Sequence, residues 1–264
     1  VSDGNYSAVH FEELPLKVED LRSVPKDSLA LFAVTSFAIT ELNVIARLVL
    51  STFQPSEKDE PVNVAAFIQQ CCILRIWTLK LFEFHECIKK LASGKEASGS
   101  EVKLVAEYCL NKFNHELQLD RSYSLARDVR HEAAGHYSFS AAKKNLGHVN
   151  NEGIASMFVN KQAGNSFYPF GEEVMFAGRL NRHGASPASA GDRNQLIDQL
   201  FGWNLKANSW VRACHLKVFT QLAASELSDK FKKESVFWIN SEKVGEFSDF
   251  RIPLFASRDL GKEL

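Results

Sequence analysis

Residues Asp27 to Phe53 read DSLALFAVTSFAITELNVIARLVLSTF, and the pattern of this stretch decides the fold class. Asp27 is placed to cap a helix running from Ser28 to Phe53. Phe32, Phe37, Leu42, Ile45 and Val49 recur at helical spacing, but Leu31, Val34 and Ile39 fall between them. A helix that is apolar nearly all round belongs at the centre of a fold. The window Leu29 to Leu50 is long enough to span a bilayer. Glu41, Asn43 and Arg47 interrupt it, and charges near a membrane centre are costly, so a core helix and no membrane is the expectation.

Working outward, residues 1–27 read as an irregular N-terminal segment. Gln54 to Pro61 is a polar turn, followed by a second long helix from Val62 to Ala92, with Gly94 placed to end it. Ser100 can cap a third helix from Glu101 to Leu119, on which Val102, Val105, Cys109, Phe113 and Leu117 keep helical spacing. A fourth begins near Ser122 and carries Leu125, Val129 and Ala133, with Gly135 at its end. Four consecutive helices with short connections predict an up-and-down bundle over residues 28–139.

Residues 140–264 read differently. Ala141 to Gly153 is polar and loop-like. Met157 to Val174 alternates weakly around the turn dipeptide Gly164-Asn165, which fits a small hairpin. A Gly/Ser/Pro/Asn-rich loop over 181–193 leads into a fifth long helix, Arg193 to Leu227. Two short apolar runs follow, Val236 to Ile239 and Phe250 to Phe255; Pro253 restricts the second to an edge strand. These runs are too short to build a core alone. The expectation is therefore a mainly α protein, one domain overall: an antiparallel helical bundle with a small, partly extended C-terminal region packed on it.

Composition agrees with a globular chain: 264 residues, 45% apolar and 24% charged, with 20 Phe against 5 Tyr. The net charge of −1 gives no global basic excess, so any polyanion contact must come from a local patch or a dimer groove. Five Cys without a CxxC pair read as reduced, mostly buried thiols of a cytoplasmic protein. Val1 to His10 lacks a basic region followed by an apolar core, so no signal peptide is read.

The chain carries no GxxxxGK[ST], no GxGxxG and no Gly-x-Ser-x-Gly elbow, which argues against P-loop and serine-hydrolase chemistry, and no cofactor is expected. His131 and His136 suggest a zinc helix, but they stand five residues apart, about 140° around a regular helix, so they cannot share one metal. Glu83, His85, Glu86 and Cys87 read as solvated charges beside a buried thiol. His115, His148, His183 and His215 have no helpful local partners. Arg179, Arg182 and His183 make a small basic cluster that can hold an anion, although such clusters are commonly solvated faces.

The remaining dense stretch is Ala126-Arg127-Asp128-Val129-Arg130-His131-Glu132-Ala133-Ala134-Gly135-His136-Tyr137. Small residues among the charges allow another backbone or subunit to come close. Residues 121–148 hold Arg121, Arg127, Arg130, Lys143 and Lys144 against only Asp128 and Glu132. An Arg that stabilises charge on phosphorus and a His that moves a proton are a sufficient kit for RNA cleavage without a metal.

This arrangement resembles the HEPN superfamily, α-helical bundles that carry an Arg-x4–6-His motif late in the bundle. The matching residues are Leu125, Val129, Arg130, His131, Ala134, His136 and Tyr137, and the resemblance covers roughly residues 28–139. It implies a homodimer whose two motifs meet in a cleft. Active members are ribonucleases of toxin–antitoxin, phage-defence and RNA-surveillance systems. By that likeness Arg130 and His136 would be catalytic, and His131, Arg127 and Tyr137 would position RNA; a protein antitoxin or regulator would be a further partner. Some toxin members carry a Tyr two residues after the motif His, whereas Tyr137 follows His136 directly. Arg130 and His136 lie about 120° apart on a regular helix, so they converge only if Gly135 breaks the helix or across a two-fold axis. The competing reading is a non-enzymatic bundle that binds a protein partner or a small ligand, with Arg130 pairing to Glu132 or to an acid on a neighbouring helix and His136 closing a helix end.

Overall fold

The computed structural model describes residues 9–13, 16–52, 60–94, 100–134, 138–151, 153–159, 166–183, 190–228 and 235–239. The fold is mainly α, a helical bundle with, among the described residues, one small antiparallel sheet. Its elements are β1 (Val9–Glu13), α1 (Lys26–Leu50), α2 (Glu60–Ala92), α3 (Ser100–Phe113), α4 (Tyr123–Val129), α5 (Phe139–Leu146), α6 (Pro169–Glu172), α7 (Gly178–His183), α8 (Ala190–Val218), α9 (Ala224–Leu227) and β2 (Ser235–Ile239). Among the described residues four π-helical turns extend or join helices: Asn114–Gln118, Arg130–Ala134, Glu173–Ala177 and Phe219–Ala223.

α1 starts at Lys26, one residue before the expected cap. Pro25 supplies the first helical acceptor, Leu29 N–H donating to its carbonyl at 2.8 Å, and Asp27 sits inside the first turn where its charge suits the helix dipole. Leu31, Thr35, Ile39, Leu42, Ile45 and Val49 form the buried stripe. The all-round burial expected of this helix does not hold. Val34, Phe37, Val44 and Leu48 face outward, Phe37 with 70% of its surface exposed. By length and hydropathy α1 and α2 could each cross a bilayer, a test that core helices of a bundle also pass.

The chain forms two compact units that draw on segments from both sides of residue 139. One comprises Val1–Asn43, Glu83–Glu116 and Ala207–Phe250; the other comprises Val44–Phe82, Leu117–Lys206 and Arg251–Leu264. The first is built around an aromatic box. His85 stacks on Phe113 at 3.9 Å between ring centres, and Trp210 meets the edges of Phe113 (4.9 Å) and Phe84 (5.2 Å). Trp210 Nε1 donates to Cys109 O at 2.9 Å. His85 is thus buried, and Cys87, expected to be the buried member of its cluster, is only half-buried. A second patch joins Val24, Ala223 and Leu227 with Leu16, Leu21, Leu29 and Phe219.

The same unit holds the sheet. β1 pairs antiparallel with β2 in the register Val9–Ile239, Phe11–Phe237, Glu13–Ser235. The N-terminal segment is therefore not wholly irregular: it contains a strand and a 3-10 turn, Asp20–Ser23. The strand is five residues long and its partner lies more than two hundred residues away, so no local pattern marks it. The run Phe250 to Phe255 lies outside the described residues.

The second unit is centred on Trp203, which stacks on Phe82 at 5.3 Å. Its Nε1 donates to Leu117 O at 3.3 Å, inside the π turn that ends α3. A π turn displaces backbone carbonyls from their helical partners, and a buried indole N–H satisfies this one. Thr78 and Asn204 form a buried polar pair at 3.0 Å. Phe158 and Phe167 exchange two backbone hydrogen bonds and stack, a single bridge where a hairpin was expected; the Gly164-Asn165 turn itself lies outside the described residues.

Two segments read as loop or strand are helical. Ser138 caps α5, its Oγ accepting from Ala141 N–H at 3.2 Å from an extended backbone. Pro169 opens α6 at a position where its missing N–H costs nothing, and the helix continues through a π turn into α7. Gly178 lets α7 lie against α5: a Cβ there would come within 2.9 Å of Asn145 O.

Candidate functional site

α4 and the π turn that follows it carry the charged residues singled out in the sequence. The apolar positions Leu125, Ala126 and Val129, which share one helical face, are buried and anchor the helix. Arg127 and His131 are exposed and Arg130 is half-buried. Arg130 Nη1 lies 3.4 Å from His131 Nδ1, a long contact between neighbours. His136, Tyr137 and Gly135 lie outside the described residues.

The two acids of this helix face α7. Asp128 Oδ2 is 2.6 Å from Arg179 Nη2 and accepts from His183 Nδ1 at 3.1 Å. Glu132 Oε2 is 3.0 Å from Arg179 Nε and also pairs with Arg182 Nη2. Asp128 Oδ1 is 3.9 Å from Arg127 Nε. Glu132 is thus engaged by two arginines of α7. Arg179 is buried, and its charge is balanced by two carboxylates.

α5 completes the arrangement. Arg182 Nη1 donates to Asn145 Oδ1 and Asn181 Nδ2 donates to His148 O, both at 2.9 Å. Asn145, Arg179 and Asn181 are buried polar residues, so this seam fixes the relative positions of α4, α5 and α7 more firmly than apolar packing alone would. On its outer side α5 exposes Lys143 and Lys144 together with Phe139, 76% exposed, and the Lys143 ammonium sits 4.8 Å from the Phe139 ring centre. An exposed aromatic ring beside basic side chains is a platform on which a nucleic-acid base can stack.

At the opposite end of α4 lies an open groove of about 340 Å³, lined by Asp120, Arg121, Ser122, Gln195, Asp198 and Lys206 among others. Burial raises the Asp120 carboxyl, but hydrogen bonds from Lys206 and from Ser122 N–H outweigh it and hold the group below the ordinary carboxylate value. Its lining is mixed in charge.

Sequence reasoning therefore located the helix but missed half of the cluster. His183, which has no local partner in sequence, is bound to the distant Asp128, and the Arg179–Arg182–His183 group is not a free solvated face. A signal was present. Asp128 and Glu132 stand four apart, and Arg179, Arg182 and His183 share i, i+3, i+4 spacing, so two complementary charged faces are legible once residues 178–183 are read as a helix.

Comparison with known proteins finds no matching family model, no matching curated protein and no matching solved structure.

Proposed function

We propose that this chain is a HEPN-like endoribonuclease that cleaves RNA without a metal, of a toxin or defence type, acting as a cytoplasmic homodimer with Arg130 and His136 in a shared cleft. The observation that carries the reading is the cationic outer surface around the α4 π turn. Arg127 and His131 are exposed, Arg130 is half-exposed, and Lys143, Lys144 and Phe139 follow on α5. Asp128 and Glu132 of the same helix bind Arg179 and Arg182 of α7, and Asp128 reaches Arg127 only at 3.9 Å. A π turn at the motif also supports it, since such turns are frequent at functional sites. In the reaction Arg130 would stabilise the charge that develops on phosphorus and His136 would move a proton, with His131, Arg127 and Tyr137 holding the RNA.

The test is cleavage of single-stranded RNA in the presence of EDTA by the wild-type chain, Arg130→Ala and His136→Ala. The expected result is cleavage by the wild type and a loss of about a hundredfold or more in each variant. Cleavage that persists in both variants would remove the reading.

A second reading, a non-enzymatic bundle that binds a protein partner, draws on one observation: the outward apolar side of α1, with Val34, Phe37, Val44 and Leu48. It predicts a stable complex and no turnover.

A further inference from the structure

We propose that Cys109 and Cys214 form a site of reversible oxidation, at which hydrogen peroxide converts two thiols into a disulfide that ties α3 to α8. Such a site is independent of the ribonuclease reading above and lies in the other compact unit.

Two contacts clamp the helices around the pair. Trp210 Nε1 donates to Cys109 O at 2.9 Å, and the Lys217 ammonium sits 4.5 Å from the ring centre of Tyr108. Trp210, Cys214 and Lys217 stand at i, i+4 and i+7, so they share one face of α8. That face is the one applied to Tyr108 and Cys109, and Cys214 lies between the two clamps. The sulfurs meet there, the Cys214 thiol donating a hydrogen bond to Cys109 Sγ. Both residues are buried, but the seam is shallow: Tyr108 is exposed and Lys217 only half-buried. Hydrogen peroxide is little larger than water and reaches the sulfurs as the packing over them opens.

The two thiols differ in acidity. The hydrogen bond from Cys214, with the charges of Lys217 and Lys112, holds the Cys109 thiol below the ordinary value against the opposing effect of burial. Burial, together with the same hydrogen bond, pushes the Cys214 thiol well up. Cys109 is therefore the nucleophile and Cys214 the thiol that resolves it.

In the first step the Cys109 thiolate forms a bond to one peroxide oxygen and the O–O bond breaks. The departing hydroxide takes up the proton that Cys109 had released, and Cys109 becomes a sulfenic acid. In the second step the Cys214 sulfur bonds to Cys109 Sγ, the S–O bond breaks, and hydroxide leaves with the Cys214 proton as water. Two thiols are oxidised to one disulfide, and the peroxide is reduced to water. The bond closes a loop of about a hundred residues, which restricts the unfolded chain and favours the folded one. A dithiol reductant reverses it.

The experiment exposes the reduced full chain to rising hydrogen peroxide under native conditions. Free thiols are then alkylated in urea and the peptides are mapped by mass spectrometry. The exposed Cys72 serves as an internal comparison. The expected result is that Cys109 and Cys214 are lost from the alkylated pool together. They should reappear in a linked peptide two hydrogens lighter than the sum of its halves, and dithiothreitol should restore both. Cys214→Ser, oxidised with dimedone present, should carry the sulfenic acid adduct on Cys109, whereas Cys109→Ser should leave Cys214 alkylatable. Mapping of the wild type requires no variant, so a substitution that prevents folding leaves the test intact. The proposal is overturned if Cys109 and Cys214 stay alkylatable at peroxide levels that oxidise Cys72, if the linkages found join other cysteines, or if Cys109 passes to sulfinic acid without linking. A dimedone adduct on Cys214 of the Cys109→Ser protein overturns the assignment of Cys109 as nucleophile.

Discussion

Arg179 concentrates the electrostatics of the site in one buried side chain. It faces Asp128 and Glu132, which keep 27% and 32% of their side-chain surface exposed. Removing one partner of a buried pair costs about 3–5 kcal/mol, and the partial exposure of the acids, with His183 and Arg182 still present, scales this down. Arg179→Met is expected to lower unfolding free energy by about 2–3 kcal/mol in urea denaturation. His215 acts in the opposite sense. It stacks on Phe32 at 5.5 Å, its Nδ1 lies 3.1 Å from Thr35 Oγ1, and burial pushes its pKa below the ordinary imidazole value. The unfolded chain then binds a proton more readily than the folded one. Stability should be complete above pH about 6.5, decline as the pH falls below that value, and level off once the folded-state pKa has been passed. His215→Gln should flatten this part of the stability profile between neutral pH and pH 5; an unchanged slope would show that another group is responsible.

At the scale of elements, the close approach of α5 and α7 rests on Gly178. A methyl group there meets the Asn145 carbonyl, which is backbone and cannot swing away. Gly178→Ala should therefore cost about 1–3 kcal/mol in thermal or chemical unfolding and weaken the Arg182–Asn145 contact that crosses the same seam. This seam also marks the limit of what was legible in the chain. The long helices were readable because most of their buried residues are apolar and recur every three or four positions, as Ile39, Leu42, Ile45 and Val49 do in α1. The residues that α5 to α7 bury include Asn145, Glu173, Arg179 and Asn181, and buried polar groups look like loop chemistry until their partners are known. The cap at Ser138 was the available clue. The π turns are equally silent in sequence: Asn114–Gln118 and Arg130–Ala134 continue their helices without any break in composition. Within the site, Arg127, Arg130 and His131 were visible as a local cluster, whereas the Asp128–His183 contact spans 55 positions and has no local trace.

At the scale of the whole molecule, the decisive question is whether function requires two copies. If the residues of the proposed cleft converge across the two-fold axis, Arg130 of one copy meets His136 of the other. Arg130→Ala and His136→Ala proteins, each inactive alone, should then regain RNA cleavage when mixed and allowed to exchange subunits, because a mixed pair rebuilds one intact site. No recovery, in a mixture shown by sedimentation to contain exchanged pairs, would place each site within a single copy. Phe37 lies on the outward side of α1. Its replacement by Ser should change unfolding free energy by no more than about 0.5 kcal/mol, while abolishing any association that uses this side.

The two indoles of α8 give the molecule a built-in clock. Trp203 and Trp210 are each about 1% exposed, and each commits its ring N–H to a backbone carbonyl, one within each compact unit. Such a hydrogen trades with deuterium only when the packing around it opens. Two resolved indole resonances, followed in heavy water by NMR, would therefore time the opening of each unit separately. Equal exchange rates would mean that the units come apart as one cooperative body. A faster Trp203 would mean that the unit bearing the charged seam opens first, which would make the site the least rigid part of its own scaffold.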